Sequence, residues 1–82
     1  MTLSSAGNVF VPAYLALQSK GYRVSRMVGN GPELWIAEGN GHRFVADNTI
    51  ELLGVMAVYE ARGENWRASD EEIEDFMERF PT

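Results

Sequence analysis

Apolar and polar positions alternate through the middle of this chain in three short runs, with longer helical patterns on either side. Tyr22 to Val28, Glu33 to Glu38 and His42 to Ala46 follow the period of two that predicts strands. Two triplets, Gly29-Asn30-Gly31 and Gly39-Asn40-Gly41, separate them. Glycine reaches positive φ without steric cost and asparagine tolerates the left-handed region, so each triplet reads as a hairpin turn and the three runs as an antiparallel meander. Written out by alternation, one face carries Tyr22, Val24, Leu34, Ile36, Phe44 and Ala46, and the other Arg23, Ser25, Met27, Glu33, Trp35, Ala37, Arg43 and Val45. Burying the first face removes more apolar area from water, at about 25 cal/mol per Å². It is therefore expected beneath the helices, with Met27, Trp35 and Val45 left as an exposed apolar band.

The helical patterns bracket this meander. Pro12 to Gly21 predicts a short helix with proline in its first turn, glycine as its stop, and Tyr14, Leu15 and Leu17 toward the core. Asn48 with Glu51 three residues on resembles a capping box, predicting a second helix that runs to Arg62 and stops at Gly63. Its body is apolar around most of its circumference, the pattern of a helix buried on more than one side. Gly54 inside it implies close approach by a neighbouring backbone. Ser69 and Glu72 form another capping box, and Ile73, Phe76, Met77 and Phe80 make a single stripe along a third helix ended by Pro81. The chain is thus expected to be one small α+β domain over residues 9–82, of order α-β-β-β-α-α, with helices mainly on one face of the sheet. Residues 1–8 are small, polar and aperiodic, a flexible lead-in.

Composition narrows the function classes. An 82-residue chain that is 45 % apolar suffices for one compact core. Without cysteine there is neither a disulfide framework nor thiolate chemistry. Met1 to Gly7 has neither the basic start nor the apolar run of a signal peptide, and no apolar stretch approaches the ~20 residues of a membrane span, so the expectation is a cytoplasmic protein with no membrane partner. The net charge is −5, and six of the twelve acids lie between Asp70 and Glu78. Such a balance disfavours non-specific attraction to nucleic acid.

Candidate chemistry is sparse. The glycine triplets lead into strands where a phosphate loop leads into a helix, so they are read as turns. His42 is the only histidine and lacks the company a zinc site needs. Ser25, His42 and Asp47 sit on no nucleophile elbow. Asp70 to Asp75 lacks the glycine and alternating ligands of a calcium loop. No catalytic, cofactor or metal site is assigned, and no enzyme activity is expected. The order of elements over residues 12–62 is similar to that of double-stranded-RNA-binding domains. Those domains begin their second helix with phosphate-binding lysines, whereas this chain has Asp47-Asn48-Thr49-Ile50-Glu51, and no family is assigned.

What remains is surface. Arg23, Met27, Trp35, Arg43 and Val45 form the first candidate partner-binding set, because arginine, methionine and tryptophan are enriched at interfaces. The acidic face Glu71, Glu74, Asp75 and Glu78 is the second. Trp66 is expected to anchor the link between the last two helices, with Arg62 and Arg67 beside it as a small recognition edge. The leading expectation is a small non-enzymatic protein-interaction module, of a bacterial accessory or immunity type, binding another protein or a second copy of itself. The alternative is a nucleic-acid-binding domain using Lys20, Arg23, Arg26 and Arg43, with Trp35 stacking on bases, and a small enzyme comes third.

Overall fold

A computed structural model describes residues 1–6 and 8–81. Gly7, within the predicted lead-in, and Thr82, at the end of the predicted domain, lie outside the described residues. The order is α1 (Phe10–Ser19), β1 (Arg23–Met27), β2 (Leu34–Gly39), β3 (His42–Ala46), α2 (Thr49–Arg62), a 3-10 turn (Gly63–Asn65) and α3 (Asp70–Arg79). The three strands form one antiparallel sheet with β2 in the centre, giving a small single α+β domain.

Local sequence explains the element ends. At the close of α1 the Gly21 amide donates to the Gln18 carbonyl and the Tyr22 amide to the Leu17 carbonyl, with Gly21 at φ +93°, which is the paired bonding of a Schellman stop. The Asn48 side chain accepts from the Glu51 amide to open α2, and Gly63 at φ +72° closes it. α1 begins two residues before Pro12, and its buried positions are Ala13 and Leu17, not Leu15, which is exposed.

The two Gly-Asn-Gly triplets are not equivalent. Asn40 and Gly41 both hold positive φ, at 52° and 80°, the signature of a two-residue type I′ turn that pairs Gly39 with His42. Gly29 and Gly31 have no such conformation and belong to a six-residue loop between the terminal pair Met27 and Leu34. Both connections pair even residues of one strand with odd residues of the next: Val24 with Ala37, Ala37 with Phe44, Trp35 with Ala46. Facing residues share a side of the sheet, so the expected faces are corrected at β2. Trp35 and Ala37 lie with Tyr22, Val24, Phe44 and Ala46, while Leu34 and Ile36 lie with Arg23, Met27, Arg43 and Val45.

The core forms between the first of these faces and two helices. Leu17 of α1 and Leu52 and Met56 of α2 are fully buried against Tyr22, Ala37 and Phe44, with Val24, Trp35, Leu53 and Tyr59 packed around them. Burial of such side chains contributes about 1.5–3 kcal/mol each. The Tyr22 and Phe44 rings meet edge to face at 5.7 Å. Thr49, buried at the start of α2, donates from its hydroxyl to the Phe10 carbonyl at 2.7 Å and ties the two helix starts together. α2 buries one side only, with Val55 and Val58 facing outward, and Gly54 has open space around it where a close neighbour was expected.

The tightest backbone contact is at Gly39. A β-carbon there would stand 2.8 Å from the Gly21 carbonyl oxygen and 3.2 Å from the Tyr22 Cα. Gly39→Ala is therefore expected to lower stability by about 1–3 kcal/mol, seen as a lower urea midpoint at unchanged m. Gly29→Ala meets open space and is expected to change it by no more than about 0.5 kcal/mol.

Candidate functional site

Of the first candidate set, the structure brings together Arg23, Met27, Arg43 and Val45 and sends Trp35 to the opposite side of the sheet. The four share an uncovered face with Leu34, Ile36 and Glu38. Ile36 is only 6 % exposed although no helix lies over it, because it sits in register between Ser25 and Val45 in the central strand. Arg23 approaches Glu38 at 3.9 Å. Trp35 is half-buried against the core, with the Arg26 guanidinium over its ring at 5.6 Å and Arg26 paired to Glu33 at 3.1 Å. With Lys20 bonded to Glu60 at 3.1 Å, the cations named for the nucleic-acid alternative are divided between two faces, and three of the four are engaged by carboxylates. Ser25 and His42 likewise lie on opposite faces. The His42 ring packs on Tyr59, centroids 4.3 Å apart, as part of the aromatic wall with Phe44.

The second candidate set is on α3, whose start is tightly organised. The Ser69 side chain accepts from the Glu72 amide, and the Glu72 carboxylate accepts from the Ser69 amide, completing the predicted box. Arg62, from the last turn of α2, donates to the Trp66 carbonyl at 2.9 Å, to the Arg67 carbonyl and to Glu72 at 3.2 Å. The hydrogen bond from the Ser69 amide, and then the positive charge of Arg62, hold the Glu72 carboxyl below the usual glutamate range.

Beyond this tether α3 has no packed interface with the sheet or the other helices. Its acidic face, Glu71, Glu74, Asp75 and Glu78, is exposed, as expected, and its apolar stripe is exposed too. Ile73, Phe76, Met77 and Phe80 each keep between 50 % and 62 % of their surface in water, the Phe76 and Phe80 rings touching at 5.2 Å. An amphipathic helix ordinarily turns such a stripe inward.

A groove of about 450 Å³ lies at the β3 edge, lined by Arg43, Phe44, Val55, Val58, Tyr59 and Trp66. Trp66 thus lies beside the body as expected of an anchor, yet it is 47 % exposed, with the Arg67 guanidinium stacked on its ring at 4.6 Å. A helix apolar around most of its circumference reads as buried on more than one side, which does not single out Val55 and Val58 as exposed. On α2 Val55 follows Leu52 by three residues and Val58 by six, so both lie to one flank of the side buried through Leu52 and Met56.

No family model, curated protein or solved structure matches the chain. Among the described residues no group of three His, Asp or Glu side chains is placed to hold a metal, and no helix is long and apolar enough to cross a membrane.

Because Glu72 has a depressed folded pKa, its contribution to ordering the start of α3 is complete above the ordinary glutamate pKa and is lost as pH falls through the lower folded value. Carboxyl-carbon NMR is expected to show Glu72 titrating below the ordinary glutamate range. Arg62→Ala is expected to recover only part of the difference, since the Ser69 amide is the larger cause.

Proposed function

We propose that this chain is a small non-enzymatic protein-interaction module that works through α3. The observation that supports this reading is the exposed stripe Ile73, Phe76, Met77 and Phe80 on a well-capped helix held away from the body. A helix that ends its start so firmly and leaves its apolar side in water suits the mode in which an amphipathic helix lays that side into a partner's groove. The sheet face with Met27, Arg43 and Val45 offers a second, flatter surface. The separation of Ser25 from His42 favours a binding role over nucleophilic catalysis. The cytoplasm is the proposed compartment, consistent with a chain free of cysteine.

A photo-crosslinking amino acid at Phe76, in cells expressing the chain, is expected to give discrete adducts of higher mass. The same group at Asn30, at the tip of the open loop, serves as the reference. Equal labelling from both positions, without discrete bands, would reject α3 as an interaction surface.

A further inference from the structure

We propose that the partner of α3 is a second copy of this chain, in a two-fold dimer. The stripe of each α3 seats in the groove that the other copy forms from β3, α2 and Trp66. This rests on the reading of α3 as an interaction helix and names its occupant.

Three independent observations lead there. The first is area. The chain exposes 6555 Å², whereas a closed monomer of 9.2 kDa exposes about 4,900 Å². The radius of gyration is 14.9 Å, against about 12 Å for a compact chain of this length. The excess, roughly 1,600 Å² per chain, is shared between the exposed lead-in of residues 1–6 and 8 and the projecting α3 with its bare stripe.

The second is charge. Of the seven basic side chains, Lys20, Arg23, Arg26, Arg62 and Arg79 form ion pairs. Among the described residues, Arg43 and Arg67 form none, and both stand at the groove, Arg43 in its wall and Arg67 on Trp66. α3 meanwhile carries Asp70, Glu71, Glu74 and Glu78 outside any ion pair. The unmatched positive charge borders the apolar receptor, and of the unmatched acids Asp70 and Glu74 flank the apolar stripe while Glu71 and Glu78 lie on the far side of α3.

The third is geometry. Arg62 bonds at once to the Trp66 and Arg67 carbonyls and to Glu72, which fixes the link and directs α3 off its own body. With those bonds in place α3 lies clear of its own groove, and a second copy supplies the same groove without disturbing them. A two-fold axis then fills both grooves at once and closes the assembly.

Sedimentation of the intact chain and of two variants tests this. The parent is expected at twice the chain mass. Phe76→Glu removes the stripe and Val58→Glu the groove; both positions are exposed in the single chain, so each variant should keep its helical circular dichroism. Each alone is expected to raise the dimer dissociation constant at least about 30-fold, as loss of a central contact does. Mixed together, they are expected to regain a dimer weaker than the parent's, because the intact stripe of one meets the intact groove of the other while the second contact carries both substitutions. A parent that is monomeric throughout overturns the proposal, as does a Val58→Glu chain that still dimerises, which would mean that the α3 helices pair with each other. Phe76 adducts solely to a different protein would also overturn it, while leaving the interaction reading of α3 in place. The absence of any discrete Phe76 adduct would remove both.

Discussion

The left-handed pair Asn40 and Gly41 is the constraint on which the rest of this molecule depends. A two-residue turn with both residues at positive φ leaves one register for the strands it joins, Gly39 against His42. That register places Ala37 and Phe44 together beneath the helices, with Trp35 at one end of the same face. It also brings Gly39 against the Gly21 carbonyl, where the Schellman stop of α1 turns the chain into β1. Helix end, first strand and central strand meet at one corner, where neither Gly21 nor Gly39 tolerates a side chain, Gly21 for its positive φ and Gly39 for its lack of space.

From this corner the body is built by one-sided burial. Leu17, Leu52 and Met56 lose all contact with water, while Val55 and Val58 on the same α2 helix do not. A two-layer domain of this size has only one interior, and the sheet can cover one arc of a helix at a time. α3 lies outside that interior altogether and is held by the exposed bonds around Arg62, Ser69 and Glu72. Such bonds set direction well and add little stability, because water competes for every partner. The outcome is a packed body carrying a well-directed helix with its own apolar surface.

Charge distribution follows the same division. The cations along the sheet and at the end of α1 are largely matched by local carboxylates, whereas among the described residues Asp70, Glu71, Glu74 and Glu78 of α3 and the two arginines at the groove form no ion pair. The arginines and tryptophan that made the sheet attractive as a nucleic-acid platform lie on different faces, so composition alone overstated that surface.

Much of the fold was legible from residues with a local mechanism. The bounds of β3, the cap and stop of α2 and the full capping box of α3 match their sequence signals, since each involves neighbours within four residues. The side of the sheet to which Trp35 belongs was legible too, from the two-residue length of the Asn40-Gly41 turn. Apolar content pointed the other way, since it weighs Leu34 and Ile36 above Trp35 and Ala37 and takes no account of how strands pair. Only the tertiary structure decided which arc of α2 remains exposed, that α3 leaves its stripe in water, and that Arg43 and Trp66 line one groove. Those outcomes depend on how much area one small sheet can cover, and periodicity shows that a helix has an apolar side without showing what lies against it.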